Sequence, residues 1–495
     1  MSFNSLSYLL FLPVVLLLYW ALPHKCRWVL LLLASYYFYM CWSAKLIFLI
    51  LTTTLVSYVS GLCMEKTRSR KVRKFFFILT LCVDLGLLVY FKYAEFLLES
   101  FISLVNIFGA NLSSVSLEIL LPVGISFYTF QTLSYVIDVY RGKIRAERHI
   151  GYFALFVSYF PQLVAGPIER PDVLIPQLKQ EHILSGEDFK AGIRLLVSGF
   201  IRKCVIADLC GIYVDTVYAD LGSMNSLAIF LGSALFIFQI YNDFAGYSEI
   251  AMGSARLMGV KLTKNFNEPL RSKSNTEFFR RWHITLNKWF TDYVYIPLGG
   301  NRKGKIRRML NTMIVFSLCG LWHGANWTYV LWGVASGAMV CIEGLLRKPA
   351  LNICARLKIN PEGKILSFVR WALFMCWIFL GGILFRSQSI AEIGTAFYRL
   401  FTEAGIGISY LSAAVSMMGL DAESLYLLLL VLFVMALLPG LTRERPAKPV
   451  LLGKDGEAGT VRTAGALVFG AVCVALCWLL LLSVTDASAF QYFQF

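Results

Sequence analysis

The sequence predicts an all-α polytopic membrane protein, with about 11–12 transmembrane helices plus re-entrant and amphipathic interfacial helices. Three observations predict it. Hydrophobic residues make up 58% of the chain and charged ones 15%, whereas soluble domains carry roughly 25% charged. Many apolar runs reach or approach the ~20 residues a helix needs to cross a bilayer. The short alternating segments that mark a membrane β-barrel do not occur.

The net charge is +16, from 46 basic and 30 acidic residues. In a soluble protein that balance would suggest nucleic acid. Here the basic residues sit in short loops between apolar runs and no nucleic-acid module is recognisable, so the positive-inside rule accounts for them. Attraction to anionic membrane lipids follows as a by-product. The twelve cysteines form no CxxC pair. Most lie inside apolar runs (Cys82, Cys319, Cys341, Cys376, Cys473, Cys477) and read as small buried apolar residues. The start, MSFNSLSYLLF, lacks a positive n-region and a small-residue cleavage site, and reads as a retained first span.

Taken in order, spans are expected at about Ser5–Leu22, Arg27–Trp42 and Leu46–Cys63. The basic loop Glu65–Lys74 then belongs inside, which puts the N-terminus outside. His24 reads as an interfacial loop residue. A fourth span, Phe75–Phe91, carries Asp84, either a functional carboxylate or a structural hydrogen-bonding one. Tyr93–Leu117 reads as an outer amphipathic segment. In Leu121–Lys143, Pro122 and Gly124 allow an irregular entry, and Asp138 is expected to pair with Arg141 at the membrane surface. His149, between basic neighbours, reads as a loop residue. Gly151–Pro171 is apolar but broken at Pro161, Gly166 and Pro167. Such a break is tolerated at membrane depth only where protein or water covers the backbone, so the segment reads as re-entrant.

Phe189–Cys210 and Ile229–Gly253 are the next spans. The second carries Asn242, Asp243 and Glu249, polar groups that belong in the bundle interior. Then comes the longest polar interruption, Asn265–Arg302. Asn265–Arg308 holds ten basic and three acidic residues and belongs inside. Ser274 and Glu277 form a capping-box pattern that starts a helix. At helical spacing Phe278, Phe279, Trp282, Leu286, Trp289 and Phe290 gather on one arc with His283 at its edge, while Arg280, Arg281 and Lys288 lie opposite. One amphipathic helix at the inner interface is expected. Met309–Leu346 must turn back on itself near Trp322–Trp327, which places His323 deep in the protein. The last spans are about Ile365–Leu384, Leu425–Leu441 and Gly465–Val484. The basic loop Arg443–Arg462 belongs inside, the C-terminus outside, and Asp486–Phe495 forms an aromatic tail.

Two of the five histidines, His283 and His323, therefore fall in the two segments around which the chain is organised. Metal binding is disfavoured: the two lie on segments of opposite expected depth, with no HxxxH and no cysteine pair. A P-loop and a GxSxG elbow are absent. His323, flanked by Trp322, Asn326 and Trp327 and crowded by Gly320 and Gly324, reads either as a satisfied core histidine or as a general base. As a base it would take the proton of an alcohol attacking a thioester. Broken helices and intramembrane carboxylates would also suit a transporter without chemistry, although no internal repeat is visible.

At these residues the sequence resembles the membrane-bound O-acyltransferase family, in the bacterial branch containing alginate O-acetyltransferase and the D-alanyl transfer protein of teichoic acid synthesis. The matching blocks are LPVGISFYTFQTLSYVIDVYRG, LVAGPIERP, IYNDFAGYSEIAMGSARLMGVKLTKNFNEP, FFRRWHITLNKWFTDYVYIPLGGNR and LWHGANWTYVLWG, and the terminal YFQF fits the polysaccharide-acetylating members. The resemblance implies one integral-membrane acyltransferase unit over residues 1–495. Its core motifs lie at 121–333, with N-terminal spans at 1–91 and C-terminal spans at 365–484. It implies acyl transfer from a cytoplasmic thioester, acetyl-CoA or an acyl carrier protein, to a hydroxyl at the outer face of the cell membrane, with no bound cofactor. The family's signature histidine maps to His323 and its second histidine to His283. Arg281, Trp282, Asn287, Trp322, Asn326 and Asp243 would line the donor end or the passage. The resemblance also implies an extracytoplasmic SGNH-type acetyltransferase or polysaccharide-modification complex as partner. In the D-alanyl branch a cytoplasmic carrier protein would dock instead.

Overall fold

The computed structural model describes residues 1–442 apart from 114, 115 and 118. The expected basic loop Arg443–Arg462, the span Gly465–Val484, the aromatic tail, Cys473 and Cys477 lie outside the described residues. Among the described residues there are helices and no strand. In chain order they are α1 (Leu6–Ala21), α2 (His24–Met40), α3 (Ile47–Lys66), α4 (Arg70–Leu88), α5 (Ala94–Ile107), α6 (Ile125–Tyr140), α7 (Ile150–Ser158), α8 (Pro171–Lys179), α9 (Gly186–Phe200) and α10 (Asp208–Ala219). Then follow α11 (Ser226–Leu257), α12 (Asn275–Arg281), α13 (Ile284–Phe290), α14 (Gly304–His323), α15 (Trp327–Arg356), α16 (Lys364–Arg386), α17 (Ile390–Thr402), α18 (Ile408–Met417) and α19 (Ala422–Thr442). Turns of π-helix join α4 to α5 (Val89–Tyr93) and α9 to α10 (Ile201–Ala207), and a third, Thr291–Tyr295, follows α13.

Among the described residues, five helical stretches are long and apolar enough to cross a membrane: Ala44–Lys66, Arg70–Ile107, Ser226–Leu257, Trp327–Arg356 and Lys364–Arg386. The bent pair α18–α19, at 84°, makes a sixth if it is one span. The other apolar runs among the described residues form helices that are shorter, such as the 16-residue α1, or that begin on charge, as α14 does with Lys305, Arg307 and Arg308. A helix enclosed by other helices need not be apolar all round or span a full bilayer by itself.

The centre of the bundle is α11. In its apolar window 72% of residues are buried, against 17–33% in the other four stretches. Its close partner is α9, and glycines explain the approach. A Cβ on Gly199 would lie 2.8 Å from the Gly246 carbonyl, and one on Gly192 would lie 3.0 Å from the Gly253 carbonyl. The pairs are seven residues apart on each antiparallel helix, so the backbones touch where side chains would hold them apart. The same device closes the α14–α15 hairpin, where Gly320 and Gly333 face each other.

The polar residues of α11 are interior, as the sequence predicts, and their partners come from the π turn after α9. Lys203 Nζ lies 2.9 Å from Asp243 and 2.9 Å from Asp208. Arg202 pairs with Glu249 at 3.1 Å and donates to Asn242 Oδ1 at 2.9 Å. Buried charges persist only when paired in this way. Asp84 is also interior. It accepts from Thr132 Oγ1 at 2.7 Å and from Ser57 Oγ at 3.4 Å, joining α4 to α6 and α3.

Several expectations need correction. The fourth span and the outer segment after it form one continuous helical stretch, Arg70–Ile107. Asp138 pairs with Lys143 at 3.1 Å and accepts from Tyr293 Oη at 3.0 Å, while Arg141 lies over the Tyr293 ring and donates to the Asp292 carbonyl. Helix α6 ends at Tyr140, and the turn that follows brings Lys143, not Arg141, back onto Asp138. Cys319 and Cys341 are buried, but Cys82 and Cys376 are exposed on the outer faces of their helices. The broken segment after α7 is covered by protein. Phe160 N–H donates to Ser35 Oγ at 3.0 Å, Ile168 N–H donates to Thr285 Oγ1 at 3.1 Å, and the Glu169 carboxylate accepts from Thr263 N–H and Oγ1.

Candidate active site

Ser274 caps α12 as expected, its Oγ accepting from Glu277 N–H at 3.2 Å, while the Glu277 carboxylate reaches back to Lys273 N–H at 3.0 Å, one residue before the cap. The single amphipathic helix expected beyond it does not form. Helix α12 stops at Arg281, Trp282 is extended (φ −101°, ψ 129°), and His283 takes the left-handed conformation (φ 44°, ψ 53°) before α13 begins. A non-glycine residue there costs roughly 1–2 kcal/mol, and neighbours must hold it. Asn287 Nδ2 is surrounded by the carbonyls of Phe279 (2.8 Å), Trp282 (2.6 Å) and His283 (3.2 Å). The incoming chain pairs alongside: Asn267 N–H donates to Arg281 O, and Ile284 N–H donates to Asn265 O.

The break turns His283 inward. Its ring is 1% exposed, and Nδ1 lies 3.2 Å from Asn265 Oδ1, an oxygen that also accepts from Thr285 N–H and Oγ1. Because Oδ1 already accepts from a backbone N–H, the proton of the neutral imidazole sits on Nδ1 and the lone pair on Nε2. Aromatic rings surround it: Phe244 at 4.7 Å, Trp322 at 5.6 Å and Phe127 at 6.5 Å between centroids. Trp289 anchors α13 behind it by stacking on Phe130 at 3.8 Å and donating to the Phe130 carbonyl at 2.9 Å.

His323 is the last residue of α14, and the α14–α15 turn falls at Gly324–Asn326, within the stretch the sequence indicates. Its ring meets Trp322 at 5.1 Å, Phe385 at 5.2 Å and Trp332 at 5.3 Å, and Nε2 lies 3.9 Å from Cys319 Sγ. Trp322 therefore touches both histidines. The expectation that they lie at opposite depths is corrected: the break at Trp282–His283 folds the polar segment into the bundle and brings the rings to one indole.

Beside them is an apolar cavity of about 680 Å³ including its open mouth, walled by α11, α12, the end of α14, α15 and α16. Among the described residues, His323 is the one titratable side chain in that wall. Of the residues named from sequence, Trp282 also lines it and packs against all three apolar clusters of the bundle.

The remaining named residues stand behind the wall. Arg281 pairs with Glu277 at 2.9 Å, and Asp243 is held by Lys203. Asn326 caps α15 through Thr328 N–H at 3.0 Å and donates to Gln388 O at 2.8 Å. Asn287 holds the break and Trp322 separates the histidines. Sequence reasoning missed Trp332, Trp377 and Phe385 in the wall, and Asn265 behind His283. Trp332 is the penultimate residue of the block LWHGANWTYVLWG, and Asn265 opens the polar interruption, so both were within reach. Trp377 and Phe385 lie in an unremarkable apolar run. Among the described residues no group of His, Cys, Asp and Glu gathers as a metal site.

Fold and site together define a class: an all-helical, multi-pass membrane protein with a histidine set in the wall of an apolar cavity. Comparison with known proteins identifies the family. The model of the membrane-bound O-acyltransferase family matches residues 144–350. The chain is 36% identical to the probable alginate O-acetylase AlgI of Pseudomonas putida, over 100% of both chains. It is 30% identical to the peptidoglycan O-acetyltransferase of Helicobacter pylori, over 82% of this chain and 80% of the relative. It is 28% identical to the teichoic acid D-alanyltransferase of Streptococcus thermophilus, over 49% of this chain and 62% of the relative. The chain belongs to the membrane-bound O-acyltransferase family and is an O-acyltransferase.

Proposed function

We propose that the protein passes an acetyl group from a cytoplasmic thioester donor, across the cell membrane, for O-acetylation of a cell-surface polysaccharide. The observation that carries this reading is that His323 is, among the described residues, the one titratable side chain facing the apolar cavity. Acyl transfer to an alcohol needs a group that holds a proton for the length of the reaction, in a place that keeps competing water away. His323 takes the proton of the acceptor hydroxyl as its oxygen attacks the thioester carbonyl. The tetrahedral intermediate collapses, the carbon–sulfur bond breaks, and the departing thiolate takes the proton from the imidazolium. Trp322 and Trp332 fix the imidazole ring from two sides. His283, with Nδ1 tied to Asn265, holds its side of the cluster as a positioning group. Arg281, Trp282, Asn287, Trp322, Asn326 and Asp243 support or line the passage.

The donor is acetyl-CoA or an acyl-carrier thioester. Both termini lie outside, and the whole chain forms one integral-membrane unit. An extracytoplasmic SGNH-type acetyltransferase or polysaccharide-modification complex receives the group. The acetylating branch is favoured over D-alanyl transfer because the relatives named for acetylation align over 80% or more of this chain, and the D-alanyltransferase over 49%.

The test uses purified protein in liposomes with labelled acetyl-CoA inside and polysaccharide acceptor or partner outside. Wild type should move label outward, and folded His323→Ala should not. Equal labelling by both would remove His323 from the chemistry. If acetyl-CoA gives no labelling and a loaded carrier protein does, the donor is the carrier.

A further inference from the structure

Helix α14 ends without the usual closure. Its last carbonyls have no N–H donors further along the helix, and the residue after His323, Gly324, is extended (φ −164°, ψ 152°) and makes no backbone cap. A helix end within the protein needs partners from elsewhere. They come from the π turn between α4 and α5. Lys92 Nζ lies 2.6 Å from the carbonyl oxygen of Trp322 and 3.4 Å from that of His323, and Tyr93 Oη donates to the Leu321 carbonyl at 3.0 Å. Three consecutive carbonyls at the end of α14 are thus held by two consecutive side chains. The extra residue in a π turn changes the local facing of side chains, and here it lets Lys92 and Tyr93 act together.

The ammonium is well matched to this place. A cation at a helix C-terminus interacts favourably with the aligned peptide dipoles. Its nitrogen also lies 5.9 Å from the centroid of the Trp322 ring, the indole between the two histidines. Lysines near membrane usually extend toward water. This one turns its nitrogen onto two backbone carbonyls, and one of them belongs to His323 itself.

We infer that Lys92 is a positioning residue for His323: its ammonium fixes the last peptide planes of α14 and so sets where the imidazole stands in the cavity wall. The inference rests on the reading of His323 as the proton-transfer group. Lys92 does not line the cavity, so its effect passes through the backbone of residues 322–323. A displacement of about 1 Å at a reacting group can cost about 100-fold in rate. The loss should therefore fall on kcat and spare donor binding.

The experiment compares Lys92→Met, Lys92→Arg and wild type as full-length protein in liposomes. Lys92→Met should lower kcat by roughly 10- to 100-fold with the donor KM within about twofold. Lys92→Arg, which keeps a cationic donor, should recover most of the loss. A second readout needs no turnover. In protein carrying ¹³C-labelled histidine, the His323 ring resonance is assigned by its loss in His323→Ala. It should shift or split in Lys92→Met and stay near its wild-type position in Lys92→Arg. If Lys92→Met does not fold, Lys92→Gln, which still donates one hydrogen bond, replaces it in both arms. Wild-type kcat with an unmoved resonance would overturn the inference. So would equal loss in Met and Arg variants that remain folded, or a change in KM alone. An active His323→Ala protein would instead defeat the reading of His323 as the base, and the resonance arm would still report whether Lys92 holds the ring.

Discussion

Two adjacent glycines on α16 offer a sharp test of the cavity as the reaction chamber. Gly381 lines the cavity, and a Cβ built on it meets nothing within 4 Å. The next residue, Gly382, faces α11, and its Cβ would lie 2.6 Å from Ser233 Oγ and 3.2 Å from the Ser233 carbonyl. The first side-chain carbon of Gly381→Phe would meet open space, and its ring would project into the cavity and narrow it. The expected result is a folded protein with little change in thermal midpoint and a fall in kcat/KM for acetyl transfer of at least about tenfold, or about 1.4 kcal/mol. A donor with a bulkier acyl group should lose more than an acetyl donor. Gly382→Ala should do the reverse, destabilising by roughly 1–3 kcal/mol through overpacking and leaving the activity of the surviving protein near wild type. The assays are acyl transfer in liposomes and thermal unfolding in detergent by intrinsic fluorescence. A folded Gly381→Phe protein with wild-type kcat/KM would refute the reasoning, because the reacting groups could not then share that space.

Three other outcomes follow from the contacts. Lys203→Met should destabilise by about 3–5 kcal/mol, because it leaves Asp243 buried without its cation; unfolding of the single variant beside Lys203→Met/Asp243→Asn, which should recover part of the loss, checks it. Asn287→Ala should cost roughly 1–3 kcal/mol, since the carbonyls of Phe279 and Trp282 lose their donor at the break; thermal unfolding reads it, and transfer should fall as His283 loosens. Gly320→Ala should destabilise by about 1–3 kcal/mol, because the new methyl would press on the Tyr329 carbonyl across the hairpin; an unchanged thermal midpoint would show that the hairpin can spread.

Much of this protein can be read from the order of its residues. A chain with 15% charge and repeated apolar runs must satisfy its backbone within helices if it is to enter a bilayer. The interior place of Asn242, Asp243 and Glu249 follows from the cost of putting them against lipid. The hairpin turn near His323 follows from a long apolar run with basic stretches at both ends, and the start of α12 follows from Ser274 and Glu277. These are local or one-dimensional properties, and periodicity and composition carry them. The family, too, is written in ordered motif blocks.

What only the tertiary structure decided is who meets whom. Nothing in FFRRWHITLNKWF announces that the helix stops at Arg281 and that His283 adopts a left-handed backbone, because the contacts that hold it come from Asn265 and from Asn287 after the break. The same holds for the cavity wall, assembled from helices spread between residues 236 and 385. It holds for the cations that neutralise α11, and for Lys92, which lies 230 residues before the carbonyl it holds. Charge and hydropathy say that a buried group must have a partner. They leave its identity open, because that depends on packing between helices far apart in the chain, where glycine pairs let backbones touch and π turns re-aim side chains.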